Sequence, residues 1–78
     1  MKSLDRLITM ANQIDNGFVA QPHDQAVAEI ADHIKKFWEK RMLAQIFAHL
    51  DAGGAGLHDR PKQALQTLAV RARQPASR

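Results

Sequence analysis

The sequence predicts an all-α fold, a small bundle of about four short helices, and three observations support this. Apolar residues recur at steps of three and four, the period of one helical face. The sequence contains no alternating β-branched runs and no Tyr. Glycine and proline interrupt the helical pattern at residues 17–22 and 53–61. With 78 residues in all, residues 1–70 are expected to form a single helical domain.

The first helix is predicted over residues 3–17. Ser3 is suited to the N-cap, and Asp5 interacts favourably with the positive end of the helix dipole. Gly17 and Pro22 predict its end, because glycine accepts the backbone of a helix terminus and proline prevents continuation. The apolar stripe of this helix consists of Leu4, Leu7, Ile8, Ala11, Ile14 and Phe18.

Two further helices are predicted over residues 23–38 and 41–51. The first carries Val27, Ile30, Ala31, Ile34, Phe37 and Trp38, and the second carries Met42, Leu43, Ile46, Phe47 and Leu50. On one continuous helix the centre of the apolar face would rotate by about 150° between these two sets. A straight helix would therefore expose one of them. We predict a break or bend between Trp38 and Met42.

The last part of the chain is predicted to be a glycine turn, a helix and a tail. Three glycines within residues 53–56 predict a flexible turn. The final helix is predicted over residues 60–70, with Asp59 as its N-cap and Pro61 in its first turn. Residues 71–78 lose the apolar periodicity, and we expect them to form a flexible basic tail.

The residue types that carry catalysis occur in patterns that argue against an enzyme. Cys is absent, and the two serines, Ser3 and Ser77, stand at the ends of the chain, where a nucleophile lacks a rigid scaffold. The carboxylates are scattered singly rather than paired. No Lys-Ser/Thr follows the glycines, as a phosphate-binding loop would require. We therefore predict no catalytic and no cofactor-binding residue in this chain.

The spacing of the four histidines is unfavourable for a metal site. His23, His33, His49 and His58 lie ten, sixteen and nine residues apart. A zinc site on a helix usually places two histidines one turn apart, and no pair here shares a turn. Histidines at the surface or at helix ends explain the pattern better, so no metal ligand is predicted.

Charge is unevenly distributed along the chain. Residues 1–34 carry two positive and five negative charges, a net −3, and residues 35–78 carry nine and three, a net +6. A basic half suits either a nucleic acid or an acidic protein surface. A small basic nucleic-acid-binding module is therefore the alternative function, although residues 42–50 contain no Lys or Arg to read a groove. The longest apolar run has three residues, so no membrane-spanning segment is predicted.

Adjacent large apolar residues make residues 37–47 a candidate docking region. Neighbours on a helix point about 100° apart, so both members of a pair such as Phe37 and Trp38 seldom fit into one small core. Two alternatives remain open: a wide stripe buried between neighbouring helices, or an apolar surplus that faces another protein. The second predicts a partner-binding set, with the Trp and Arg that are enriched at interface hot spots. Its members are Phe37, Trp38, Arg41, Met42 and Phe47.

Three blocks of the sequence stand out together: residues 7–14 (LITMANQI), residues 30–38 (IADHIKKFW) and the pair Arg41-Met42. They resemble the delta subunit of NAD-dependent formate dehydrogenase. More loosely, the resemblance extends through Ala48-His49-Leu50, the glycine stretch and the last helix, and so covers about residues 4–70. The chain departs from the family pattern at Lys40, where the family often has a proline before Arg-Met.

The resemblance implies a small cytoplasmic accessory subunit of a molybdenum-dependent complex whose larger subunits pass electrons from formate to NAD⁺. Those subunits carry bis-molybdopterin guanine dinucleotide, iron–sulfur clusters and FMN. For this chain the resemblance implies complex assembly, stabilisation or loading of the molybdenum cofactor, with no catalytic residue to carry over. The implied main partner is the molybdenum-containing catalytic subunit. A resident subunit and a transient assembly chaperone remain alternatives.

We predict that the isolated chain is marginally stable and gains stability on binding its partners. A domain of about 60–80 residues buries only about 60% of the surface that its unfolded chain exposes. A partner that binds only the folded chain adds stability by mass action. Calorimetry of the free chain and of the complex measures both effects. Melting of the free chain above about 70 °C, beyond the usual mesophilic range, would contradict the prediction.

Overall fold

The computed structural model describes residues 3–73 of the chain. Over this range the chain forms four α-helices and no β-strand. The helices are α1 (Ser3–Asn16), α2 (His23–Phe37), α3 (Lys40–Asp51) and α4 (Asp59–Arg73). The predicted all-α class and the four helices are confirmed.

Residues 17–22 connect α1 to α2 by a tight turn. The amide of Gly17 donates to the carbonyl of Ile14 at 3.0 Å, which closes the last turn of α1. Pro22 is the N-cap of α2, and its carbonyl accepts the first hydrogen bond of the helix from the amide of Ala26 at 2.9 Å. A proline fits at this position because it has no N–H to leave unpaired.

Two residues in extended conformation, Trp38 and Glu39, separate α2 from α3. The amide of Trp38 still donates to the carbonyl of Ile34 at 2.9 Å, and the carbonyl of Glu39 accepts from the amide of Leu43 at 3.0 Å. The break lies in the predicted interval before Met42 and is confirmed. It allows the stripes of both helices to face one core, which a straight helix would prevent.

The glycine turn between α3 and α4 has a defined backbone. The positive φ angles, a conformation that favours glycine, are 117° at Gly53, 67° at Gly54 and 88° at Gly56. Gly54 is also buried, and a Cβ there would lie 3.0 Å from Cε of Lys62. Nε2 of His49 donates to the carbonyl of Ala55 at 2.7 Å and ties the turn to α3.

Helix α4 is longer than the sequence predicts. Asp59, the predicted N-cap, is its first residue, and the helix continues to Arg73, so residues 71–73 are helical. Basic residues are stabilised by the helix dipole near a C-terminus, and Arg73 also pairs with Asp51 at 2.9 Å. The rest of the predicted tail, residues 74–78, lies outside the described residues.

The core forms where the apolar stripes of all four helices meet, and α2 against α4 is its largest helix contact. Small residues let the helix axes approach closely, while isoleucine and leucine fill the space between them. Over the described residues, the fully buried apolar side chains include Ala11, Ala26, Ile30, Ile34, Ile46, Pro61, Ala64 and Leu65. Helix α4 contacts each of the other three helices, and α2 contributes Ala26, Ile30 and Ile34 to the fully buried set.

One carboxylate, Asp15, is buried beside this core. Nε of Arg60 donates to its Oδ1 at 2.7 Å, and Nδ1 of His58 lies 3.0 Å from its Oδ2. Arg60 also donates to the carbonyl of Phe18 at 3.3 Å. A buried carboxylate without partners would cost several kcal/mol, so these contacts account for its position. This Asp15 clasp (Asp15, His58 and Arg60) ties the end of α1 to the start of α4.

Sequence reasoning missed the clasp, although a signal was present. Asp15 lies four residues after Ala11 and eight after Leu7, and so falls on the apolar face of α1. A charged residue at such a position requires a partner. Asn12, three residues earlier, adds two hydrogen bonds of 2.9 Å to the backbone of the glycine turn. Asn12 therefore positions that turn beside the clasp.

We predict that Arg60→Met lowers the free energy of unfolding by about 2 kcal/mol, because Asp15 stays buried and keeps only its side-chain contact with His58. In a domain of this size that corresponds to a fall of about 10 °C in melting temperature. The matched control is Arg73→Met, which breaks an ion pair whose two side chains are 58% and 61% exposed. Its effect should stay below about 1 kcal/mol. Equal melting temperatures for the two variants would contradict a stabilising clasp.

Candidate docking surface

Two adjoining depressions lie where α1 meets the turn between α2 and α3. One, of about 340 Å³, is lined by residues that include Ile14, His33 and Phe37. The other, of about 420 Å³, is lined by residues that include Arg6, Glu39 and Arg41. Met10 and Met42 line both depressions and join them. We call the following residues the corner surface: Met10, Ile14, His33, Phe37, Arg41 and Met42.

Phe37 is the exposed aromatic residue of the corner surface, with 69% of its surface accessible. Its ring centroid lies 4.7 Å from that of His33, one helical turn earlier. On a helical wheel Phe37 points between the directions of Ala26 and Ile30, which are both fully buried. Phe37 is nevertheless exposed, and it is the last residue of α2, at the point where the chain leaves the helix.

Trp38 is buried, with only 7% of its surface exposed, and belongs to the core cluster. It forms an inner wall of the corner surface instead of projecting from it. Met42 is half-buried against the same core, and Arg41 is exposed. Four of the five predicted docking residues therefore meet at one corner, where Phe37 and Arg41 are accessible and Trp38 supports them from beneath.

Phe47, the fifth predicted residue, lies on a different surface. It lines a groove of about 310 Å³ together with Lys35, Leu43, Leu68, Arg71 and Ala72. We call this the α2–α3–α4 groove, after the helices that form it. It shares no lining residue with the corner surface. The structure thus divides the predicted partner-binding set between two surfaces.

Sequence reasoning assigned no surface role to three residues of the corner surface. Ile14 was predicted only as part of the α1 stripe, and Met10 and His33 had no predicted contact. The sequence does contain an indication of these pairs, because Met10 and Ile14 are four residues apart, as are His33 and Phe37. Residues four apart share one helix face, so both pairs could have been predicted as patches. That the patches adjoin depends on how the helices pack.

The four histidines take part in four separate contacts. Nε2 of His23 donates to Oε1 of Gln63 at 2.9 Å, His33 contacts Phe37, His49 binds the glycine turn and His58 belongs to the clasp. Over residues 3–73, no three His, Cys, Asp or Glu side chains are grouped so that they could hold a metal ion. In the same part of the chain, no helix combines the length and apolarity needed to cross a membrane.

Over residues 3–73, four short helices around one core, with an exposed aromatic beside a depression at a helix corner, define a small all-α protein. Residues 6–65, more than half of the chain, match the family described as the NADH-dependent formate dehydrogenase delta subunit, FdsD. The chain belongs to this family. This confirms the resemblance noted in the sequence. No curated protein and no solved structure shows a significant match to the chain.

We predict stability effects of very different size for the two adjacent aromatic residues. Trp38→Ala should lower the free energy of unfolding by about 3–5 kcal/mol, because it removes a buried aromatic side chain from the core. Phe37→Ala should change it by less than about 0.5 kcal/mol, because that ring is mostly in solvent. Urea unfolding of the two variants beside the wild type measures both values. A loss in Phe37→Ala as large as in Trp38→Ala would show that the ring of Phe37 is part of the core.

Proposed function

We propose that the chain is a non-catalytic accessory subunit that docks through the corner surface onto the molybdenum-containing catalytic subunit of formate dehydrogenase. Its role is to support the assembly or stability of that subunit, or the loading of its molybdenum cofactor. The observation that carries the proposal is the 69% exposure of Phe37 beside an apolar depression, in a chain of the delta-subunit family.

An exposed aromatic beside a depression is favourable for docking. A phenylalanine buries about 150–250 Å² when it is covered, and a few such anchors carry most of the binding energy of an interface. Met10 and Met42 surround the depression with flexible side chains that adapt to a partner. Arg41, exposed nearby, supplies the polar contact that interface rims commonly contain.

Docking also supports a small chain that has little core of its own. The fully buried side chains include three alanines, so the area removed from water per residue is modest. A partner surface that covers the corner would bury further apolar area of both proteins. The free energy of binding then adds to that of folding, since only the folded chain presents the corner surface.

In this proposal the redox chemistry belongs to the larger subunits. They hold the bis-molybdopterin guanine dinucleotide, the iron–sulfur clusters and the FMN, and they pass electrons from formate to NAD⁺. The present chain contributes a protein surface. Neither the helical structure over residues 3–73 nor the family match favours the alternative of a nucleic-acid-binding module.

The test is co-purification of the tagged chain with the larger subunits. Phe37→Ala/Arg41→Ala removes two exposed side chains of the corner surface and leaves the core intact. We expect it to reduce the yield of the complex at least about tenfold, as loss of an interface hot spot does. The purified active wild-type enzyme should retain the chain in stoichiometric amount if the chain is a resident subunit.

The matched control is Val19→Ala/Val70→Ala. These valines are 73% and 56% exposed and line neither surface, so the variant removes exposed apolar area elsewhere. Its yield of the complex should equal that of the wild type. An unchanged yield for Phe37→Ala/Arg41→Ala would refute docking through the corner surface. Absence of the chain from active enzyme would identify it as a transient chaperone.

A further inference from the structure

The α2–α3–α4 groove combines an apolar floor with a positive border. Leu43, Phe47 and Leu68 pack against the core and form the floor. Lys35 and Arg71 are exposed at the border, and no acidic side chain lines the groove. The corner depression that Arg6 and Arg41 line differs from the groove, because the carboxylate of Glu39 lines it as well.

The two border cations have no partner of opposite charge in the described structure. Over residues 3–73, neither Lys35 nor Arg71 makes an ion pair within 4.0 Å. The next cation along α4, Arg73, does pair with Asp51 at 2.9 Å. Two unpaired cations beside an apolar floor produce a positive potential in a region of reduced dielectric, which favours a negatively charged occupant.

Two carboxylates lie in an adjoining depression between α2 and α4, which Lys35 and Arg71 also line. They are Asp24 and Asp32. Asp32 is 3.1 Å from Lys36, so its charge is already paired. Neither carboxylate lines the α2–α3–α4 groove itself. The charged side chains that line the groove itself are therefore Lys35 and Arg71.

We propose that the α2–α3–α4 groove binds an acidic segment of one of the larger formate dehydrogenase subunits, in which carboxylates flank one or two apolar side chains. This rests on the proposed function and adds a second contact to it. The carboxylates pair with Lys35 and Arg71, and the planar guanidinium of Arg71 suits bidentate binding of a carboxylate. The apolar side chains cover Leu43 and Phe47. Complementary charge sets the register of the segment and accelerates its association.

The charges of the chain itself argue against its C-terminal residues as the occupant. The side chains of residues 74–78 include Arg78 and no Asp or Glu, so they offer no side-chain carboxylate to Lys35 and Arg71. A second copy of the chain is a separate case, because residues 1–34 carry a net −3. Self-association is therefore measured as one outcome of the test.

The groove and the corner surface lie on opposite sides of α2. Lys35 and Phe37 are two residues apart, which places them roughly 160° apart around the helix axis. The groove shares no lining residue with the corner surface, so substitutions at its border leave the corner surface unchanged. A partner that contacts both surfaces would enclose the C-terminal half of α2.

The experiment titrates the full-length chain onto the larger subunits, at about 50 mM and about 500 mM salt. In Lys35→Glu/Arg71→Glu we expect the affinity to fall about tenfold or more at low salt, with a smaller difference at high salt. The matched control is Lys40→Glu/Lys62→Glu. It makes the same change in net charge at residues that line none of these depressions and leaves the pair of Lys36 with Asp32 in place, and its affinity should stay within about twofold of the wild type.

The outcomes separate this inference from the proposed function. Wild-type affinity in Lys35→Glu/Arg71→Glu would overturn the inference, and a loss in Phe37→Ala/Arg41→Ala would at the same time uphold the proposed function. No binding by the wild-type chain would overturn both. Should the charge-reversed variant fail to melt cooperatively, Lys35→Gln/Arg71→Gln replaces it, with an expected loss of about threefold.

Self-association is measured by sedimentation of the free chain. We expect the wild-type chain to be monomeric at both salt concentrations. Salt-sensitive dimers that Lys35→Glu/Arg71→Glu abolishes would make a second copy the occupant and overturn the proposal of an acidic partner segment.

Discussion

The burial of Trp38 at the turn between α2 and α3 is the interaction on which the rest of the structure depends. The apolar faces of the two helices differ in direction by about 150° along one helical wheel, so both reach one core only if the chain leaves the helix between them. It does so at Trp38 and Glu39. The indole of Trp38 is then buried in the core cluster, and Ile46 of α3 is fully buried in the same cluster. The same turn leaves Phe37 in solvent, so one local event creates both the core and the corner surface.

Polar contacts between α1 and α4 add to the apolar packing of this small core. Helices α1 and α4 contact each other, and their buried residues include the alanines Ala11 and Ala64 beside leucines. The Asp15 clasp adds charged hydrogen bonds at the edge of this contact, and Asn12 extends them to the glycine turn. Hydrogen bonds of this kind require a defined geometry, whereas contacts between alanines allow two helices to shift along each other. The clasp therefore specifies where α1 and α4 meet.

Helix α2 connects the packing to the proposed role. Its inner face holds the core together, its last residue is exposed at the corner surface, and Lys35 borders the α2–α3–α4 groove on its other side. In the proposed function this places one well-anchored helix between two contacts with the larger subunits. Rigid support beneath contact residues lowers the entropy lost on binding, and Trp38 supplies that support under Phe37.

The sequence by itself determined the helical class, the number of helices and the break before Met42, because apolar periodicity and breaker residues act locally. It also indicated the family, because the blocks at residues 7–14 and 30–38 resemble the delta subunit to whose family the chain belongs. Only the tertiary structure decided which of two adjacent aromatics is buried. The helical wheel places Phe37 among buried residues, and its exposure follows from where α2 ends relative to its neighbours. The division of the predicted docking residues between two surfaces, and the pairing of Asp15 with Arg60 across 45 residues, likewise depend on helix packing that no local pattern encodes.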